Sequence, residues 1–117
     1  MTREEILALP AGPETDRLVA ERVMGIGWQG GNPIDGYDGR WPWPPPYSTD
    51  VAAAWSVVEK LTDNQDGYCF DLYRGTFPDQ PPEWVCATLR GRGMVVACGQ
   101  TAPLAVCRAA LLATPTD

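Results

Sequence analysis

The sequence predicts a small α+β domain in which a helix, three antiparallel strands and a last helix follow two short N-terminal helices. Three observations carry this prediction. Residues 47–61 and 101–113 repeat apolar side chains at helical spacing, and residues 68–98 contain three short segments typical of strands. A chain of 117 residues has room for one hydrophobic core. We therefore expect a single domain over residues 1–117.

Two short helices are predicted within residues 1–24. Thr2 and Glu5 have the spacing of a capping box, which favours a helix starting at residue 3. A second helix is predicted over residues 14–24, and Gly25 is expected to end it. Helices of this length are not stable alone in water, so both must pack on the rest of the domain.

The helix at residues 47–61 is predicted to be the element on which the rest of the chain packs. Ser48 and Thr49 are expected to cap its N-terminus, and Asp50 places a negative charge in its first turn. Trp55 is expected to be the largest buried side chain on the apolar stripe of this helix. The apolar stripe that gives this helix its predicted phase comprises Val51, Ala54, Trp55, Val58 and Leu61.

The second half of the chain predicts three strands and the last helix. The strands are expected at Tyr68–Arg74, Trp84–Leu89 and Met94–Cys98. The helix is expected to begin after Thr101 and to place Ala105 and Ala109 on its outer side. The resulting α-β-β-β-α order over residues 48–114 is shared with double-stranded-RNA-binding domains. That comparison concerns topology only, because the charge of the chain disfavours their function.

Residues 25–47 form a loop that these patterns do not explain. Eleven of its 23 residues are Gly or Pro, which disfavours regular secondary structure. A disordered linker is normally poor in aromatic residues, whereas this loop is rich in them. Two interpretations are equally open: the rings close one end of the core, or they form a wall for a planar ligand or a partner. The large aromatic residues are Trp28, Tyr37, Trp41, Trp43 and Tyr47.

The cysteine and histidine content argues against a metal site and against catalysis. Four cysteines occur without a CxxC pair, and the chain has no histidine, the commonest general base. We therefore expect four free, buried cysteines, no metal and no cofactor. No nucleophile–base pair and no phosphate-cradling glycine motif is present, so the sequence predicts a protein that is not an enzyme.

The net charge of −6 arises entirely within residues 1–66 and disfavours binding to nucleic acid, which requires clustered Lys and Arg. A small anion could still bind at a helix N-terminus beside an arginine. No apolar run is long enough to cross a membrane, and the N-terminus lacks a secretory signal. We therefore expect a cytoplasmic protein without a membrane partner.

Three blocks of the sequence resemble the phage ABA sandwich domain family. They comprise residues 2–7, 9–12, 18–21 and 23–25 at the start, residues 47–50, 52–55 and 57–61 in the middle, and residues 101–112 at the end. The resemblance implies a phage or prophage origin, an α-β-α layered domain and a location in the infected bacterial host. It implies no catalytic residues.

These observations predict a non-catalytic phage protein that binds and sequesters a small nucleotide-like host immune signal. The alternative is a phage accessory protein that binds another protein, either a host factor or a virion component. The chain is also expected to be able to form a homo-oligomer. The predicted ligand-binding residues are Trp28, Tyr37, Arg40, Trp41, Trp43, Tyr47, Ser48, Thr49 and Asp50.

Overall fold

The computed structural model describes four helices and two small antiparallel sheets. The residues described are 2–26, 28–29, 32–33, 41, 43–62, 69–74, 85–90 and 94–114. The helices are α1 (Arg3–Leu7), α2 (Pro13–Arg22), α3 (Val51–Thr62) and α4 (Ala102–Ala113). The strands are β1 (Trp28–Gln29), β2 (Asn32–Pro33), β3 (Cys69–Arg74), β4 (Val85–Arg90) and β5 (Met94–Gly99). The α+β class, with a three-stranded antiparallel sheet and four helices, is confirmed.

The larger sheet has the order β3-β4-β5, so that β4 is the central strand. Phe70 and Leu72 share one face of β3, and Leu72 pairs with Ala87, which in turn pairs with Ala97. Helix α3 contacts this face through the ring of Phe70, and α4 packs on it around Ala87 and Ala97. The α-β-α layering and the likeness to double-stranded-RNA-binding domains remain predictions.

Strands β1 and β2 form a separate ladder of two residues each, with Trp28 opposite Pro33. This ladder lies inside the loop predicted to lack regular secondary structure, so that prediction was wrong for these four residues. Two-residue strands are too short to produce a recognisable alternation in the sequence.

Helix α4 is the element on which the rest of the domain packs. It contacts β4, β5 and each of the other three helices. Ala105 and Ala109, which were expected on its outer side, are fully buried, as is Ala110. The prediction that α3 holds the central place was therefore wrong. Because α4 carries alanine on several sides, neighbouring elements can pack against it from several directions. A prediction that assigns one apolar face to each helix does not anticipate this.

The buried face of α3 differs from the predicted one. Ala53 and Val57 are fully buried, whereas Val51 is 67% exposed and Trp55 is 52% exposed. The predicted core role of Trp55 was therefore wrong: its ring lies edge-on to Phe70, with centroids 6.4 Å apart. Helix α3 carries two overlapping apolar stripes, and the stripe with the smaller side chains packs on α4.

The N-terminal helices begin and end largely as predicted. Thr2 Oγ1 accepts a hydrogen bond from the Glu5 backbone N–H, and Glu5 Oε1 accepts one from the Thr2 N–H, which confirms the capping box. Hydrogen bonds from the Thr2 backbone N–H and side chain to the Glu5 carboxylate hold the pKa of that group below its usual value. Helix α2 ends at Arg22, two residues earlier than predicted, and Gly25 follows with a φ of 71°, a conformation that glycine adopts without steric cost.

The prediction of four free cysteines was wrong. Cys98 is disulfide-bonded, and its backbone lies opposite Cys86 in the β4–β5 ladder. Cys69 is an exposed thiol, and Cys107 is a fully buried free thiol on α4. Sequence spacing does not reveal strand register, which is why the bonded state of Cys98 was missed.

The relative roles of α3 and α4 predict different costs for two truncations. Leu111 on α4 is 1% exposed, so Leu111→Ala should lower the free energy of unfolding by about 2–5 kcal/mol. Trp55→Ala removes a half-exposed ring and should cost only about 1–2 kcal/mol. Urea denaturation measures both values, and a Trp55→Ala variant as unstable as Leu111→Ala would contradict this assignment of the core.

Candidate functional site

The predicted ligand-binding residues do not form a single surface in the structure. Tyr37 and Arg40 lie outside the described residues. Trp28 lies in β1, where its backbone pairs with Pro33. The remaining predicted residues fall within residues 41–50, and they divide into buried residues and residues that face solvent.

Tyr47 and Ser48 belong to the interior of the domain. Tyr47 is 3% exposed and packs in the hydrophobic core, while Ser48 is 0% exposed. Neither side chain is open to a ligand that arrives from solvent. Their position in the chain, directly after a run of prolines, gave no indication of this burial.

Ser48 connects the loop to the start of α2 through a buried group of hydrogen bonds. Its backbone N–H donates to Asp16 Oδ1 at 2.7 Å, and its hydroxyl donates to the same oxygen at 2.5 Å. The Ser48 hydroxyl oxygen accepts a hydrogen bond of 2.9 Å from the Gly12 N–H. Nearby, the Thr15 hydroxyl donates to the Pro10 carbonyl at 2.6 Å. We call Gly12, Asp16 and Ser48 the Asp16–Ser48 junction.

Ser48 therefore does not cap α3, and the predicted cap was wrong. Asp50 holds that position: its Oδ1 accepts a hydrogen bond of 3.0 Å from the Ala53 N–H. The chain turns over residues 47–49, where the Asp50 N–H donates to the Pro46 carbonyl at 2.9 Å. Thr49 is exposed on this turn and serves neither as cap nor as core residue.

Burial changes the acidity of two groups near this junction. Burial raises the pKa of the Asp16 carboxyl group, although the two hydrogen bonds from Ser48 act in the opposite direction. Burial also raises the pKa of the Cys107 thiol well above its usual range, and the charge of Asp16 adds to that effect. Because a thiol is nucleophilic only as the thiolate, Cys107 is a structural residue.

Trp43 lines a shallow cleft at the N-terminus of α2. The cleft has a volume of about 260 Å³, and its described lining comprises Pro13, Glu14, Arg17, Trp43 and Pro44. Trp43 is half-buried and packs against the hydrophobic core with part of its ring. The peptide bond between Trp43 and Pro44 is cis. We call this feature the Trp43 cleft.

The N-terminus of α2 is open on the side of this cleft. Gly12 occupies the capping position and supplies no side-chain hydrogen bond, and Pro13 is the first helical residue. The N–H groups of Glu14 and Thr15 have no acceptor within the helix, as at the start of any α-helix. Arg17 is exposed one turn further on, and its Nε lies 3.9 Å from Glu21 Oε1.

The two described tryptophans of residues 41–43 lie at the edge of the hydrophobic core. Trp41 and Trp43 are half-buried and pack against the hydrophobic core, as expected of rings that close one end of it. Trp43 also lines the cleft, and the ligand-wall interpretation of the loop stays a prediction.

A larger cavity lies beside the N-terminus of α4. It has a volume of about 440 Å³, and its lining includes Pro10, Cys98, Gln100, Thr101, Leu104 and Arg108. The Arg108 guanidinium donates to two backbone carbonyls, that of Leu9 between α1 and α2 and that of Cys98 on β5. We call it the Arg108 cavity.

Three residues that matter for the junction and the two cavities were not predicted from the sequence: Asp16, Arg17 and Arg108. A signal existed for Asp16. It lies on α2 at the helical spacing of Val19 and Ala20, so a carboxylate occupies the apolar side of that helix. For Arg17 and Arg108 no pattern in the sequence indicates which cavity they line.

Across the described parts of the chain, no cluster of three or more Cys, Asp or Glu residues is arranged to hold a metal ion. None of the described helices combines the length and apolar character needed to cross a bilayer.

The raised pKa of Asp16 predicts a specific pH dependence of stability. When folding raises the pKa of a carboxyl group, protonation of that group stabilises the folded state. For Asp16 this stabilisation is complete at a pH below the unfolded-state pKa of 3.8, and it is lost as the pH rises through the folded-state pKa. Asp16→Asn keeps an acceptor for Ser48 but cannot ionise. Urea denaturation at several pH values should therefore show this variant gaining stability relative to the wild type as pH rises.

The matched control is Glu59→Gln, which neutralises an exposed acid on α3. The difference in the free energy of unfolding between Glu59→Gln and the wild type should not follow the pH dependence expected for Asp16→Asn. If the Asp16→Asn difference stayed constant with pH, or changed in the opposite direction, the burial of Asp16 would not govern its ionisation.

Comparison with known proteins identifies the family. The sequence profile of the phage ABA sandwich domain matches residues 17–111, which is most of the chain. The structure is similar to the 2.0 Å crystal structure of a phage protein from Bacillus cereus ATCC 14579, with 26% sequence identity and a TM-score of 0.66. The similarity covers 89% of this chain and 91% of that one. No match was found among curated proteins. The chain belongs to the phage ABA sandwich domain family.

Proposed function

We propose that this phage protein binds a small nucleotide-like ligand at the Trp43 cleft and sequesters it as a host immune signal. It acts without catalysis and without a cofactor, in the cytoplasm of the infected bacterium. The observation that carries the proposal is the meeting of an aromatic ring, an open helix N-terminus and an arginine in one cleft. These three groups match the ring and the phosphate of a nucleotide.

The aromatic part of the ligand would stack on Trp43. Stacking of a base on an aromatic side chain contributes about 1–3 kcal/mol and tolerates different bases. Pro13 and Pro44 flank the ring and have little conformational freedom, so little entropy is lost when a ligand binds between them. A flat ring is therefore the part of a ligand that this cleft accommodates best.

The charged part would lie at the start of α2. The free N–H group of Glu14 and the positive end of the helix dipole favour a phosphate there. Arg17 can add a charge-assisted hydrogen bond, since its existing contact with Glu21 is exposed and long. The Glu14 carboxylate opposes a highly charged ligand, but it can accept hydrogen bonds from hydroxyl or amino groups.

The size of the cleft limits what it can enclose. A volume of about 260 Å³ lies below the roughly 300–1,000 Å³ of most small-molecule sites. The cleft therefore suits one ring and one neighbouring phosphate, with the rest of the ligand outside. A dinucleotide would contact it through one half only.

The alternative function, binding to another protein, is favoured by a different observation. Val51 and Trp55 lie one turn apart on α3 and are more than half exposed, and Leu72 is 41% exposed on the neighbouring strand β3. Exposed aromatic and aliphatic side chains of this kind are common in protein interfaces. A host factor or virion component, or a second copy of the chain, could cover them.

Titration of tryptophan fluorescence with adenosine diphosphate ribose derivatives and cyclic dinucleotides tests the ligand-binding proposal. We expect at least one of them to bind, and Trp43→Ala to weaken its affinity about 5- to 150-fold, the loss of one stacking contact. If the phosphate of the ligand lies at the start of α2, Arg17→Gln should also weaken the affinity relative to the wild type. Trp55→Ala is the matched control: this tryptophan is exposed but is not among the described residues that line the cleft, so its removal should leave the affinity unchanged.

Absence of binding by every probe would contradict the proposal, as would equal affinity in Trp43→Ala and the wild type. Native mass spectrometry of protein purified from phage-infected cells separates the two functions. A retained small mass supports ligand binding, whereas a co-purifying protein chain that Val51→Asp or Trp55→Asp releases supports the alternative.

A further inference from the structure

The Arg108 cavity has a charge distribution that the proposed function does not use. Among the described residues that line it, Arg108 is the only charged one. Its neighbours are apolar side chains, the Gln100 amide, the Thr101 hydroxyl and the backbone of Cys98 and Gly99. The cavity volume of about 440 Å³ lies within the range of small-molecule sites.

Three hydrogen bonds fix the orientation of the Arg108 guanidinium. Nε and Nη2 donate to the Leu9 carbonyl at 3.1 and 2.7 Å, and Nη1 donates to the Cys98 carbonyl at 2.7 Å. A guanidinium has five N–H donors, so these bonds leave two N–H groups, one on each terminal nitrogen. The planar group is held in place before any ligand arrives, which lowers the entropic cost of binding.

The positive charge of Arg108 has no carboxylate partner among the described residues. Its three acceptors are neutral carbonyls, whereas Arg17 on the surface lies near Glu21. Arg108 is half-buried, and this burial lowers the pKa of its guanidinium, which means that its charge is incompletely solvated. A half-buried cation with two remaining donors is best compensated by an oxyanion, whose oxygens accept hydrogen bonds from both terminal nitrogens.

We propose that the Arg108 cavity is a second binding site, which takes the phosphate or carboxylate group of a small anion. The two remaining Arg108 N–H groups bind the oxyanion, and the Gln100 amide and the Thr101 hydroxyl lie within the same cavity to complete its coordination. The Thr101 oxygen already accepts a hydrogen bond from the Leu104 N–H, and its own proton is available to a ligand. This site is separate from the Trp43 cleft.

Titration with inorganic phosphate and with acetate, at constant ionic strength maintained with chloride, tests this proposal. We expect the thermal midpoint to rise and saturate with at least one of the two anions, because a ligand that binds only the folded state stabilises it. In a ¹H–¹⁵N spectrum, the Arg108 Nε–H resonance and the amides of residues 99–101 should shift along the same titration curve. Saturable binding of phosphate assigns the site to phosphate groups, and saturable binding of acetate assigns it to carboxylate groups.

Two variants complete the test. Arg108→Lys keeps the charge but loses the planar pair of donors, and it should weaken anion affinity about tenfold or more. Arg17→Gln removes the phosphate contact proposed for the Trp43 cleft, so the readout for this variant is the Arg108 Nε–H resonance, which should shift with added anion as in the wild type. This site and the proposed function can therefore fail independently. If Arg108→Lys does not fold, the test depends on whether the Arg108 Nε–H resonance of the wild type shifts on titration with the anion. An unmoved Nε resonance, or no saturable effect of either anion, would overturn the proposal.

Discussion

The close packing of α4 against neighbours on several sides is the constraint on which the rest of the structure depends. Ala105, Ala109 and Ala110 are fully buried on this helix, and Ala87 and Ala97 face it from the sheet. Small side chains at these contacts let the backbones approach closely, so a larger residue would have no space without displacing a neighbour. Enlarging a well-packed core residue typically costs about 1–3 kcal/mol. Strands β4 and β5 and the other three helices are all held through this one helix.

The same helix and one buried junction also position the two cavities. Arg108 projects from α4 and holds the chain at Leu9 against β5 through backbone carbonyls. The Asp16–Ser48 junction fixes the start of α2, which forms one wall of the Trp43 cleft, to the segment that carries Trp43 and Pro44. Both cavities are therefore bounded by segments that hydrogen bonds already hold together. Such preorganisation reduces the entropy lost on binding.

Local patterns predicted the elements of this fold, whereas contacts between distant residues decided the rest. The capping box at Thr2 and the strand limits near Val85 and Met94 depend on neighbours in sequence, and they were predicted to within about a residue. The phase of α3 was not, because two apolar stripes overlap on it and only α4 selects between them. The state of Cys98 depends on strand register, which sequence spacing does not encode.

The candidate site was predictable only as a region. The aromatic loop pointed to Trp41 and Trp43, but Ser48 is buried against Asp16, and Asp50 is the helix cap.

Native-state hydrogen exchange tests the central role of α4 most directly. The account predicts that amides in the middle of α4, from Val106 to Ala110, exchange only through global unfolding, and that those of α1 and α3 exchange faster through local opening. Greater protection in α3 than in α4 would contradict it.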